Sequence, residues 1–249
     1  MGNVLVLDFD GVISNSIGEC FINSHRAFHE WNSVDDDFLK VDQPEMEKLF
    51  IKYRYLVGPA YEYYCLWKTI EECIERPDLD FVERYQNQKQ NSSQKLFEEF
   101  SERFFGLRNA FRKKNLEQWV DLNPLYPGIL SFLEYIEKKY LVFIASTKDE
   151  ESIDLILKNA GFTMPKDKIF GKNFSTDKFH QLNEIIRKTG SFPEKVSFID
   201  DNADHLKRVS PIGIHCYLAM WGYCAPELDK VHDQITFTAM SLNSLRSFF

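Results

Sequence analysis

Residues 3–7 (Asn-Val-Leu-Val-Leu) run apolar and stop abruptly at Asp8. A strand with one wet face alternates polar and apolar residues. An unbroken apolar run instead suits a strand covered on both faces, as in a parallel sheet. Parallel neighbours need long crossover connections, usually helical. Similar runs recur at Leu141–Ala145 and Val196–Ile199, each followed by polar residues that begin a turn. Between them, Ile129, Phe132, Leu133 and Ile136 repeat at helical spacing behind Pro127. Ile153, Ile156, Leu157 and Ala160 do the same behind a cap at Asp149, with Gly161 as the stop. Phe179, Leu182, Ile185 and Ile186 form a third such face, stopped by Gly190. From residue 122 onward the order helix, strand, helix, helix, strand predicts an α/β fold: a Rossmann-like parallel sheet flanked by helices.

Residues 16–121 read differently. They are rich in Glu, Lys, Gln, Phe and Tyr, show no short buried strand pattern, and predict an all-helical segment. Expected helices are Cys20–Trp31, Glu45–Val57, Tyr61–Glu75 and Gln94–Arg112, with turns at Val57-Gly58-Pro59 and Arg76-Pro77-Asp78. The polar run Gln86–Gln94 reads as an exposed loop or a helix start. The predicted organisation is an α/β core of residues 1–15 and 122–249, interrupted after its first strand by a helical domain of residues 16–121.

Composition narrows the function classes. With 249 residues, 44% hydrophobic and 15% aromatic, the chain has ample apolar surface for one large core or two modest ones. A formal charge of −8, with no run of Lys or Arg that forms a phosphate-backbone stripe, argues against nucleic acid as a partner. No apolar stretch approaches the roughly 20 residues a membrane-spanning helix needs. The N-terminus lacks the basic and apolar regions of a signal peptide, so a soluble, cytoplasmic protein is expected. The five cysteines, Cys20, Cys65, Cys73, Cys216 and Cys224, are scattered without a Cys-x-x-Cys pair and read as idle thiols in a reducing compartment.

In a parallel α/β sheet the carboxyl ends of neighbouring strands converge on one crevice. The residues at those ends are Asp8-Phe9-Asp10-Gly11, Ser146-Thr147-Lys148 and Asp200-Asp201-Asn202, with Lys178 opening a helix between the last two. Several carboxylates in one place repel one another, which a divalent cation relieves; hard oxygen donors point to Mg2+. Asp8 is then placed to attack phosphorus, and Asp10 to protonate a leaving alcohol and later deprotonate water. Ser146, with Thr147 beside it, and Lys178 can hold phosphoryl oxygens through the transition state. Gly11 lets the chain turn closely at the metal.

On these residues the chain resembles the haloacid dehalogenase-like hydrolase superfamily, of the kind with a helical cap inserted after the first strand. Asp8-Phe9-Asp10-Gly11-Val12 matches the family's first motif, Ser146 its second, Lys178 its third and Asp200-Asp201 its fourth. The resemblance implies Mg2+-dependent hydrolysis of a small phosphorylated metabolite through an aspartyl-phosphate. It makes Asp8 the nucleophile and Asp10 the acid/base, with metal held by Asp8, the Asp10 carbonyl and a fourth-motif acid. Two departures stand out. Phe179 follows Lys178 where many relatives carry Pro, leaving Lys172 as a second candidate. Either Asp200 or Asp201 fits as the direct ligand, with Asp201 favoured and Asp200 nearby or acting through water; Asp204, four residues beyond Asp200, reads as an exposed helix acid. A sugar phosphomutase shares the same intermediate and is the alternative, followed by a catalytically silent binding protein. A dehydrogenase is disfavoured because acids occupy the turn where a dinucleotide needs glycines. A phospho-receiver domain would carry its phosphorylated aspartate mid-chain. Within the cap, His25, Arg26, Arg54, Tyr61, Tyr64 and Lys68 are the polar candidates for specificity. Oligomeric state is not legible.

Overall fold

In the computed structural model, residues 2–225 and 237–249 are described. The chain divides into two compact units, one of residues 1–16 and 123–249 and one of residues 17–122.

The first unit is built on a six-stranded sheet in which every neighbouring pair is parallel. Its strands are β1 (Val4–Leu7), β2 (Leu141–Ala145), β3 (Ile169–Phe170), β4 (Val196–Asp200), β5 (His215–Ala219) and β6 (Thr238–Met240), in the order β3-β2-β1-β4-β5-β6. The three strong apolar runs are β1 and its two neighbours, the most enclosed positions of the sheet. β3, β5 and β6 carry no such run and are additions of the tertiary structure.

Side chains alternate between the faces of a strand. Val4 and Val6 share one face with Phe143, Ala145, Val196, Phe198, Cys216 and Leu218, packed against Leu182, Ile185, Leu206 and Val209. Those last four residues lie on helices running over Lys178–Thr189 and Ala203–Val209. The alternate set, Leu5, Leu7, Val142, Ile144 and Ile199, is equally buried, so the central strands are covered on both faces.

The second unit is helical: α1 (Ile17–Phe28), α2 (Pro44–Tyr53), α3 (Tyr63–Glu75), α4 (Phe81–Asn91), α5 (Gln94–Lys114) and α6 (Leu116–Asp121). Of the polar run at 86–94, Gln94 does start a helix, α5, and residues 92–93 are the connection, but residues 86–91 belong to α4, whose start is capped by Asp80 accepting from the Glu83 amide and which turns Phe81 and Tyr85 inward. The helix predicted through Val57 ends at Tyr53 and gives way to a single tight turn over Arg54–Leu56. The interior is aromatic, with Phe50 stacked on Tyr63 and Trp67. A fully enclosed ion pair joins Glu19 of α1 to Arg108 of α5 through contacts of 2.7 and 2.8 Å. Among the described residues, the α-helices of the first unit are α7 (Ile129–Ile136), α8 (Glu150–Asn159), α9 (Lys178–Thr189), α10 (Ala203–Val209) and α11 (Leu245–Phe248). Among the described residues no helix is long and apolar enough to cross a membrane.

Candidate active site

The sheet's own periodicity places the first two acids. Asp8 continues the β1 alternation of Val4 and Val6, and Asp200 continues that of Val196 and Phe198, so both side chains leave on the face covered by α9 and α10. The ladder extends to Asp8, whose amide donates to the Ile199 carbonyl at 2.8 Å. Lys178, the first residue of α9, reaches down onto this face. Its Nζ lies 2.7 Å from Asp8 Oδ1 and 3.5 Å from Asp200 Oδ2, and also donates to the Ala145 carbonyl at the end of β2. The cap at Asp177, which accepts from the Phe179 amide, starts α9 at this point and sets the lysine's height. Phe179 itself is exposed and takes no part.

Electrostatics follow from this crowding. Burial pushes the Asp8 carboxyl up to about 6, with Asp200 adding to the rise and Lys178 opposing it. Burial works against ionised Asp200 too, but His205, Lys178 and the Asn202 amide outweigh it and hold Asp200 at about 2. Burial disfavours charge on Lys178 as well, yet the flanking carboxylates raise it. His205, on α10, places Nδ1 3.0 Å from Asp200 Oδ2 and is likewise raised by that carboxylate against burial. The buried Asp8 and Asp200 and the half-buried His205 present ligand atoms within 4.8 Å of one another, a cluster that could hold a metal ion.

The other predicted residues lie around this cluster. Asp10, half-buried, sits in the turn after β1, with its Oδ1 3.1 Å from Lys148 Nζ. Asp201 turns toward the loop after β5, where its Oδ2 accepts the Tyr223 amide at 2.6 Å. Glycine is required on both sides of it. A Cβ on Gly11 (φ +84°) would meet Asp201 Oδ2 at 2.0 Å, and one on Gly222 would meet Asp201 Cβ at 2.4 Å. Ser146 is buried at the end of β2, its Oγ accepting the Lys148 amide at 3.2 Å, and Thr147 is half-buried in the same turn. Lys172 meets Lys148 through its backbone amide, and Lys178 is the lysine at Asp8. Asp204 is exposed and paired with Lys207 at 3.0 Å.

Three participants escaped the sequence reading. His205 follows the fourth motif at the spacing of one helical turn from Asp201, a signal visible in retrospect. Asn123, whose Oδ1 accepts from Lys148 Nζ at 3.2 Å, and the Gly222-Tyr223 loop against Asp201 and Gly11 carried none, because only the tertiary structure brings them to the end of the first strand. Most of the polar candidates in the helical unit have local occupations. Arg26 donates to the carbonyls of Asp37, Phe38 and Lys40, Arg54 donates to the Val57 carbonyl, and Tyr61 and Tyr64 pack on Phe97 and Phe28.

An all-parallel sheet that gathers carboxylates and a buried lysine at the carboxyl ends of its central strands places the molecule among α/β proteins with a strand-end site. A family model described as haloacid dehalogenase-like hydrolase matches residues 59–219, and the chain belongs to that family. The matched span contains Ser146, Lys178, Asp200 and Asp201; Asp8 and Asp10 precede it. No curated protein matches the sequence. Among solved structures, a haloacid dehalogenase-like family hydrolase from Streptococcus pneumoniae is similar at a TM-score of 0.64 and 18% identity, covering 100% of this chain and 99% of its own. A predicted phosphoglycolate phosphatase from Haemophilus somnus 129pt gives 0.62 and 14%, covering 99% and 97%. A predicted phosphatase from Clostridium acetobutylicum gives 0.61 and 14%, covering 100% and 98%. At these identities the likeness is one of fold.

Proposed function

We propose that the protein hydrolyses small phosphate monoesters, with Asp8 as the nucleophile. The observation that carries this reading is the buried 2.7 Å contact between Asp8 and Lys178 at the carboxyl end of β1. An Asp8 oxygen forms the bond to phosphorus as the ester P–O bond breaks, and Asp10 gives its proton to the departing alkoxide. Asp10 then takes a proton from water, the water oxygen attacks phosphorus, and the aspartyl P–O bond breaks to release phosphate and restore Asp8. Ser146, Thr147 and Lys178 are assigned to the phosphoryl oxygens, where a buried ammonium and fixed donors are worth more than they would be in water. Residues 16–121 are assigned as a helical cap. Family membership and the phosphatases among the structural neighbours support the same chemistry.

The donor set fits a divalent cation. Asp8, Asp10, Asp200 and Asp201 bring four carboxyl groups together beside Lys148 and Lys178, and these hard oxygen donors suit Mg2+. Asp8 and Asp200, with Asp10 and Asp201 adjacent, are the residues that would hold it. When bound, Mg2+ supplies positive charge against the phosphoryl oxygens. The test is Asp8→Asn, assayed for phosphate release over a panel of phosphometabolites with Mg2+ present. Loss of activity by several orders of magnitude, with acid-stable phosphate on Asp8 in the wild type, is expected. Retention of more than a few per cent of activity refutes the covalent route. Discharge of a persistent aspartyl-phosphate onto a sugar phosphate would instead identify a mutase.

A further inference from the structure

Lys148 is a lysine that the proposed chemistry does not use, and its side chain is entirely buried. Burying an ammonium is costly unless it is paired and hydrogen-bonded, so where such a group points is a firm commitment of the fold. Lys148 Nζ lies 3.1 Å from Asp10 Oδ1 and 3.2 Å from Asn123 Oδ1. The backbone beneath it is held as well. Its amide donates to Ser146 Oγ at 3.2 Å, and its carbonyl accepts the Lys172 amide at 3.0 Å. Gly171 packs so closely that a Cβ there would sit 2.6 Å from that carbonyl oxygen.

Asn123 is delivered to the same point by pairing between the turn after β1 and the segment before α7. Ser14 bridges to Leu125, Ser14 Oγ donates to the Asn123 carbonyl at 3.1 Å, and the Asn15 amide donates to Pro124 at 2.8 Å. The turn itself is closed by the Gly11 amide donating to Ser14 at 2.8 Å. The Asp10 carboxylate, only half-buried and on a turn, is thereby tied to β2 through Lys148 and to the 123–125 segment through Asn123.

We infer that Lys148, anchored by Asn123, is a positioning residue that sets where the Asp10 carboxyl stands for its two proton transfers. The inference rests on the acid/base reading of Asp10. A proton donor displaced by even an ångström loses much of its effect, and general acid–base catalysis contributes about 10²–10⁴-fold.

The test uses the full chain with Mg2+ and two probes of similar shape, phenyl phosphate and p-nitrophenyl phosphate, of which the first has the leaving group in greater need of a proton. Lys148→Met should lower kcat on phenyl phosphate by about 100-fold, with KM within about twofold, and by less on p-nitrophenyl phosphate. Lys148→Gln, which keeps a donor at the site and guards against a misfolded Met variant, should fall between Met and wild type. Thermal melting reports the fold of each. The deciding measurement is the double variant Asp10→Asn with Lys148→Met. If Lys148 acts through Asp10, it is no slower than Asp10→Asn alone. Additive losses, equal losses on both probes, or a raised KM with unchanged kcat each overturn the positioning role; the last would put the ammonium on the substrate phosphate. Near wild-type activity in Asp10→Asn refutes the acid/base assignment itself and takes the positioning role with it.

Discussion

Gly222→Ala isolates the geometry around Asp201 without removing any functional group. The added Cβ would lie 2.4 Å from Asp201 Cβ, 2.4 Å from the Gly11 carbonyl oxygen and 2.7 Å from Asp201 Oδ2, whereas ordinary contact begins at 3.4 Å. Two of these three atoms belong to the Asp201 side chain and one to backbone, so the loops after β1, β4 and β5 must separate by about 1 Å. Overpacking of this kind costs about 1–3 kcal/mol. Opening the loop also strains the 2.6 Å bond from the Tyr223 amide to Asp201. For a chain of this size each kcal/mol is worth about 2–4 °C, so melting should fall by several degrees. A displacement of about 1 Å at a reacting group costs about 100-fold in turnover. Differential scanning calorimetry and steady-state phosphate release measure the two effects. Gly106→Ala is the control: Gly106 lies in α5, is exposed, and a Cβ there meets nothing within 4 Å. It should gain about 0.5–1 kcal/mol with unchanged turnover. A Gly222→Ala protein that melts and turns over like wild type would refute the claim that these loops are in contact at the site.

Chelation should abolish phosphate release and Mg2+ should restore it, while Ca2+ inhibits because it takes more oxygen ligands at longer distances; full activity in chelator with no bound metal by elemental analysis would exclude the ion. His25, buried in the helical unit, is held down to about 4 by burial, with His29 and Arg26 adding to the effect. The neutral ring is therefore favoured by the fold: stability is fully present above about pH 6.5 and is lost as pH falls toward 4, where the folded state also takes the proton. Urea unfolding at pH 7 and pH 5 should differ by up to about 2 kcal/mol from this group, and His25→Leu should lack that part of the difference. An identical pH dependence in the variant would show that His25 is not buried as described.

How much of this was legible in one dimension depends on the range of the forces involved. Hydrophobic patterning is local, so the apolar runs 3–7, Leu141–Ala145 and Val196–Ile199 declared a sheet covered on both faces. The abrupt change from apolar to acidic at Asp8 and Asp200 marked where those strands end. The helix cap at Asp149, the helix start at Lys178 and the stop at Gly190 were equally readable, since a helix terminus satisfies its own amides within a few residues. The short strands Ile169–Phe170 and Thr238–Met240 exist because a neighbouring edge offers hydrogen bonds, and nothing within two or three residues records that. The run at 86–94 helps form α4 because Phe81 and Tyr85, upstream of it, found a core to bury in. At the site, strand parity alone brings Asp8 and Asp200 together, and both were visible. The partners that fix their charge and direction were decided elsewhere. His205 acts from α10, Asn123 is paired to Ser14 across the chain, and Asp201 is held by a loop following the fifth strand. A sequence lists the groups able to do the chemistry, but where each carboxyl points depends on contacts between segments over a hundred residues apart in some cases, and those form only when the sheet assembles.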